Sequence, residues 1–362
     1  MEKLNSIIKN IKPIDKILFD KTQKRLDNLT KPHGSLGRLE ELAMRIVSIT
    51  GREDIEFKNK VIFTMAADHG VAEEGVSAFP QEVTPQMVYN FLNGGAAINI
   101  LAKHVGARVI VVDMGVACKL QITKYRTQNF KDKKVGFGTK NMAKGPAMTR
   151  DEAIKSIENG IEVFEEEFEK GIDIVGLGDM GIANTTASSA IIAILSGESP
   201  RNVTGRGTGI DTAGFEKKVS VIERALNINQ PDAKDPLDIL AKVGGFEIGG
   251  LCGVTLAAAR HNVPVVCDGL ISTAGALLAC ELCPATKEYL IASHNSVERG
   301  HIIMLGRMGL RPLLNLDLRL GEGTGAALGI SICEAAIKIL TQMATFESAG
   351  VSEKSSEKIG KI

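Results

Sequence analysis

An excess of charge of either sign is missing from this chain: Lys and Arg together number 43, and so do Asp and Glu. No overall field would draw it to nucleic acid or to an anionic membrane, so a small-molecule partner is expected, with neither nucleic acid nor membrane. Long apolar runs are missing too. The uninterrupted ones fall well short of the about 18 residues needed to span a bilayer, and the opening MEKLNSIIKNIKPID mixes charges into its apolar residues where a secretory h-region would be. The expected location is the cytoplasm. Cysteines are few, six in 362 residues, and only Cys280 and Cys283 stand in a CxxC spacing. Without a second CxxC or a nearby His pair they make neither a disulfide framework nor a zinc or redox motif, and both read as buried core. What is abundant is apolar residue, 44% of the chain, enough for one large core or two unequal ones.

Several short β-branched runs end in small or acidic residues. VIFTMAA leads to Asp68-His69-Gly70, RVIVV to Asp113-Met114-Gly115, and IDIV to Gly176-Leu177-Gly178-Asp179. VPVVC before Asp268-Gly269 and YLIA before Ser293-His294-Asn295 repeat the arrangement. Runs this apolar without alternation suit strands covered on both faces. Helix-length segments lie between them, among them 84–104, 151–170, 184–195, 213–227 and 249–261. The alternation predicts an α/β fold with a doubly wound, mainly parallel sheet. Ligands bind such sheets at the carboxyl edge near a topological switch, which makes Asp68, His69, Asp179, Asp268 and His294 candidates by position, with helix capping as the competing explanation for each.

Residues 1–60 read as helical, broken at Pro13 and again at Lys31-Pro32-His33-Gly34-Ser35-Leu36-Gly37, and residues 296–347 are again mostly helical. These two stretches are expected to form a smaller helical domain beside a large α/β domain over 61–295, with a flexible tail at 348–362. The run Glu165-Glu166-Glu167 reads as a solvated helix face.

Three glycine-rich loops stand where backbone can approach a ligand closely. Gly176 to Gly181 is formally GxGxxG, but Glu198 lies in a turn where a dinucleotide site needs an acidic residue at a strand end. Gly205-Arg206-Gly207-Thr208-Gly209 precedes a helix carrying Lys217 and Lys218, whose side chains lean back toward its start, where an anion such as phosphate can sit; a plain connection before a lysine-bearing surface helix remains open. In Leu320-Gly321-Glu322-Gly323-Thr324-Gly325 a carboxylate sits between glycines, just before an apolar helix expected over 326–343. That is an odd cap and a natural base. No His, Cys or carboxylate cluster has metal-ligand spacing, so no metal and no cofactor is expected.

At these strings the chain closely resembles the nicotinate-nucleotide–dimethylbenzimidazole phosphoribosyltransferase family, from about Leu4 to Met343. The likeness rests on the 31–37 string, Ala67-Asp68-His69-Gly70-Val71, Val83-Thr84-Pro85-Gln86-Met87, residues 178–186, Lys242-Val243-Gly244-Gly245-Phe246-Glu247 and Leu318-Arg319-Leu320-Gly321-Glu322-Gly323. The resemblance implies transfer of phosphoribose from nicotinate mononucleotide to 5,6-dimethylbenzimidazole in cobalamin lower-ligand synthesis. It further implies α-ribazole 5′-phosphate and nicotinate as the products, and suggests a homodimer, which the residues themselves leave open. It makes Glu322 the base, places the benzimidazole against the 78–80 stretch with Phe79, Gln86, Met180 and Leu320, and puts phosphate and nucleotide contacts on Gly181, Gly207, Thr208, Lys218 and Ser296. Asp179, which stands where the family often carries Glu, is assigned to positive charge developing on the ribose. Two rivals remain at this point: a transferase using phosphoribosyl pyrophosphate with Mg²⁺, which lacks its paired acidic residues here, and a binding protein that kept the fold without the chemistry.

Overall fold

A computed structural model describes residues 1–123 and 127–352. The five apolar runs form strands β1 (Lys60–Ala67), β2 (Ala107–Gly115), β4 (Ile174–Met180), β5 (Val265–Cys267) and β6 (Leu290–Ala292). A short β3 (Phe130–Asp132), too brief and too polar for the apolar pattern to reveal, adds an edge. The six strands lie in the order β3-β2-β1-β4-β5-β6, each pair of neighbours parallel. The chain winds outward from β1 in one direction and then from β4 in the other, so the switch falls between β1 and β4. Their carboxyl ends are level, with Met65 opposite Asp179 and Ala66 opposite Met180.

The helices are α1 (Glu2–Asn10), α2 (Ile17–Asp27), α3 (Arg38–Thr50), α4 (Val83–Asn93), α5 (Ala97–Val105), α6 (Arg150–Phe168), α7 (Asn184–Ser196), α8 (Pro200–Val203), α9 (Thr212–Asn229), α10 (Pro236–Val243), α11 (Phe246–Arg260), α12 (Leu270–Leu282), α13 (Arg299–Met308), α14 (Thr324–Gln342) and α15 (Phe346–Ala349). The single helix expected over 84–104 is two, because Gly94 ends α4 in the left-handed region at φ 78°. Cys280 and Cys283 are free and buried, as read.

The chain divides into two compact units, Met1–Pro13 with Phe57–Ser331, and Ile14–Glu56 with the chain from Ile332 onward. The helical pattern of the sequence predicts all of 1–60 and 296–347 in the smaller part. Helix α1 belongs instead to the sheet unit, where Leu4 is buried and the N-terminal amine meets Glu158 Oε1 at 2.6 Å. The segment 296–331, with Glu322, belongs there too. In the second unit, the break at residues 31–37 is closed by a buried Lys31–Glu40 ion pair at 2.8 Å, and Thr30 N–H donates to the Ala344 carbonyl at 3.0 Å. Of the tail expected over 348–362, residues 353–362 lie outside the described residues.

Two further expectations change. Glu167 is fully buried, bonded to Arg108 at 2.7 Å and Lys170 at 2.6 Å, so the acidic run is an ion-paired face and not a solvated one. Helix α14 is long and apolar enough to cross a membrane by length and composition, although no uninterrupted run is; 56% of the stretch is buried within the protein, as in a core helix.

Candidate active site

Position relative to the switch decides which polar residues meet. The carboxyl ends of β4, β5 and β6 deliver Asp179, Asp268 and His294, and all three are buried. After α13 the chain returns alongside the end of β6: Leu314 N–H donates to the Ser293 carbonyl at 3.0 Å and Asn295 N–H to the Leu314 carbonyl at 2.8 Å. This lays residues 320–323 across the end of β4, where Glu322 N–H donates to the Asp179 carbonyl at 3.2 Å. Gly178 makes the crossing possible, because a Cβ there would stand 2.3 Å from the Glu322 carbonyl oxygen. The GxGxxG string is therefore strand backbone under a second loop, and its first two glycines lie inside β4.

A cavity of about 370 Å³ opens at this edge. Its wall includes Phe79, Asp179, Met180, Gly181, Gly207, Thr208, Ser296, Leu320 and Glu322 among the residues singled out from the sequence. Phe79 and Leu320 are exposed at 53% and 58%, which places them at the mouth. Gln86 is exposed on α4 and is not part of the wall, which takes Val83 and Met87 from that helix instead. Asp68 and His69 also lie off the wall: Asp68 Oδ2 accepts from Ala117 N–H at 2.8 Å, and His69 Nε2 meets Glu247 Oε1 at 2.6 Å.

Glu322 occupies the left-handed region at φ 65°, between two glycines of positive φ. For a residue with a Cβ this costs of order 1–3 kcal/mol, a strain typical of functional sites. Its Oε2 accepts from Ile98 N–H at 3.2 Å in the first turn of α5, and the side chain is otherwise enclosed. Burial raises its pKa, the Ile98 N–H opposes that shift, and the charge of Asp268 adds to it. Asp179 is pushed well above the ordinary carboxylate range, first by burial and then by Asp268, against one hydrogen bond from Asn184 Nδ2 at 2.9 Å. Carboxylates gathered and desolvated in one cleft mark a site built for chemistry more than for stability.

At the other end of the cavity the 205–209 loop meets Lys218, which has no exposed surface although Lys217 beside it is exposed. Lys218 does not itself line the wall; its Nζ donates to Thr185 Oγ1 at 2.7 Å, and Thr185 does. Burial lowers its pKa to about 8, with the charge of Glu298 opposing. Thr208 Oγ1 accepts from Ala78 N–H at 2.9 Å and so latches the 78–80 stretch to this loop. Glu298 Oε1 accepts from Gly207 N–H at 2.9 Å and Arg319 donates to the Gly207 carbonyl at 3.1 Å. Thr185, Glu298 and Arg319 had not been singled out; Thr185 lies inside the 178–186 string, whereas nothing local marks Glu298. Among the described residues no group of three or more His, Cys, Asp or Glu side chains is arranged to hold a metal ion.

The strand order and the cavity at its switch define a doubly wound α/β protein with an enzyme-like site for a nucleotide-sized ligand. The chain belongs to a phosphoribosyltransferase family: the family model described as "Phosphoribosyltransferase" matches residues 11–351. It is 58% identical to a nicotinate-nucleotide–dimethylbenzimidazole phosphoribosyltransferase of Geobacter metallireducens over 353 residues, covering 98% of this chain and 99% of the relative. A protein of the same name from Chloroflexus aggregans is 56% identical over 354 residues, 98% of this chain and 99% of that one. A crystal structure of such an enzyme from Thermus thermophilus superposes with a TM-score of 0.88 at 44% identity, covering 94% of this chain and 100% of that chain.

Proposed function

We propose that this cavity transfers the phosphoribosyl group of nicotinate mononucleotide to 5,6-dimethylbenzimidazole, with Glu322 as the general base. The activity is that of the relatives' name, and it belongs to the synthesis of the cobalamin lower ligand. In the donor the glycosidic nitrogen is a pyridinium, so its departure releases a neutral ring nitrogen and needs no strong acid. The protein has to supply orientation and a proton acceptor. One benzimidazole nitrogen forms the bond to C1′ as the bond to nicotinate breaks, and its electron pair replaces the one that leaves with the pyridine ring. The other ring nitrogen gives its proton to Glu322, without which the attacking ring would become a cation.

The observation that carries this reading is the placement of Glu322: a strained, buried carboxylate in the cavity wall, with Oε2 fixed by Ile98 N–H. A carboxylate whose pKa is raised by burial is a stronger base than a solvated one. The donor phosphate is assigned to Gly207, Thr208, Lys218 and Ser296, with Gly181 beside them, and the acceptor ring to Met180, Leu320 and the 78–80 stretch with Gln86 nearby. Asp179 is assigned to the ribose. Burial favours its neutral form before the donor binds, and the positive pyridinium ring of the donor offsets that by favouring the carboxylate. A cytoplasmic homodimer is part of the same reading, supported by the family resemblance; sedimentation of the purified protein tests the dimer.

The decisive substitution is Glu322→Gln, which keeps size and most hydrogen bonding and removes proton acceptance at neutral pH. Turnover is expected to fall by at least about a hundredfold, with donor affinity retained. Calorimetry with nicotinate mononucleotide beside a rate assay reads both halves. Near-normal turnover with intact binding would remove Glu322 from the mechanism.

A further inference from the structure

We propose that Asp268 is a positioning residue for Glu322, holding from the end of β5 the backbone on which that carboxylate stands. The inference rests on the reading of Glu322 as the base. Asp268 is 1% exposed and follows β5 directly. Its Oδ1 accepts from Gly325 N–H at 2.6 Å and Ala326 N–H at 3.2 Å, and its Oδ2 from Gly323 N–H at 3.0 Å. A helix start is ordinarily closed by the side chain just before it. Here the residue before α14 is Gly323, which has no side chain, Thr324 at the first position donates to the Gly321 carbonyl at 2.9 Å, and the cap comes from a residue 55 to 58 positions earlier in the chain. A tertiary cap ties the loop to the sheet, which a local cap cannot do.

The tie falls on the one peptide that matters most. The carbonyl of Glu322 accepts from Thr64 Oγ1 on β1 at 3.0 Å, and the N–H of the same peptide, that of Gly323, is the one given to Asp268 Oδ2. Both ends of the 322–323 peptide are thus pinned to strands on the two sides of the switch. Released at either end, the peptide can rotate, Glu322 can leave positive φ, and the carboxylate loses its aim past Ile98. The charged groups that act on Glu322 or feel its charge are Asp268 from β5 and Asp179 from β4, and His294 after β6 lines the same cavity with its Nε2 3.5 Å from Asp268 Oδ1. Removing the Asp268 charge removes one of the influences that raise the Glu322 pKa.

The experiment compares Asp268→Asn, Glu322→Gln and the double variant in kcat, KM for nicotinate mononucleotide, and the pH profile of kcat/KM. Asn keeps the size but must turn its amide toward one set of N–H donors. We expect Asp268→Asn to lower kcat by about ten- to a hundredfold, with KM for the donor within about threefold, as for misplacement of a reacting group by a fraction of an ångström or more. The acid limb of its profile should move to lower pH, and the double variant should be no slower than Glu322→Gln alone, since the two changes act through one group. Near-normal turnover by Glu322→Gln overturns the base reading and this inference with it. A crippled Glu322→Gln with Asp268→Asn within twofold of the parent, or with losses that multiply in the double variant, overturns this inference alone. If Asp268→Asn does not fold, Thr64→Val decides by freeing the other end of the same peptide: a fall in kcat with an unmoved acid limb supports the positioning role, and the parent's kcat overturns it.

Discussion

Lys218 is fully buried and brought down to about 8 from the usual lysine range by burial, and its one hydrogen bond is to a neutral hydroxyl. The sign of the consequence follows from the two ends of that shift. Between about 8 and 10.5 the unfolded chain holds a proton on this group that the folded protein does not, so stability rises with pH across that window and is lower below it. A dianionic phosphate favours the charged form, so the empty protein carries a cost that the donor removes. Nicotinate mononucleotide should therefore bind more weakly as pH rises through about 8, and its binding near that pH should take up a proton, visible as a calorimetric enthalpy that varies with the buffer. Lys218→Ala should flatten this dependence and weaken donor binding by roughly 1.5–3 kcal/mol, the scale of a charged hydrogen bond, leaving benzimidazole affinity unchanged. Equal losses for both ligands would make the residue structural.

At the scale of elements, the contact between β4 and the 321–323 loop is where the fold becomes a site. Gly178→Ala sets a methyl 2.3 Å from the Glu322 carbonyl, against backbone that cannot swing aside like a side-chain tip. Such overpacking costs typically about 1–3 kcal/mol, and the loop that must give way is the one bearing Glu322. Turnover should fall at least about tenfold while thermal unfolding stays cooperative, since a small displacement of a reacting group is costly; parent-like kcat would show that the loop tolerates the shift. No reading of residues 176–181 by motif reaches this, because GxGxxG describes a turn and these glycines serve a crossing between segments more than a hundred residues apart. The strands are legible because each is an apolar run ending in a charged or small residue, and the edge strand Phe130–Asp132 is not because two half-buried residues and an exposed one have no such pattern. The same limit applies to sites. Asp268 and His294 could be placed at the edge from their strands, but that Asp268 faces the Glu322 loop depends on the return of residues 313–320 past β6, which periodicity does not encode. Helix α1 was assigned to the wrong unit for the same reason, since an amphipathic pattern gives a face and not its partner.

For the molecule as a whole, the two windings of the sheet meet at one cavity, and what that cavity presents bears on the choice between donors. A transferase using phosphoribosyl pyrophosphate expels a highly charged leaving group and relies on Mg²⁺ held by adjacent carboxylates and by the pyrophosphate itself. Here the buried carboxylates near the cavity are committed elsewhere: Asp268 to three backbone N–H groups, Glu298 to the N–H of Gly207, and Glu322 to that of Ile98. Among the described residues no three or more His, Cys, Asp or Glu side chains, Asp179 included, are grouped to hold a divalent ion. On the proposed assignment the phosphate end relies on Lys218 and loop backbone, enough for a monophosphate, and the pyridinium of nicotinate mononucleotide is activated before it binds. Turnover with that donor should therefore be unchanged in excess EDTA, and added Mg²⁺ should not raise it. Initial rates measured with both donors, with and without chelator, test this directly: loss of activity in EDTA restored by Mg²⁺, or product formed from phosphoribosyl pyrophosphate at a comparable rate, would overturn the assignment of the donor.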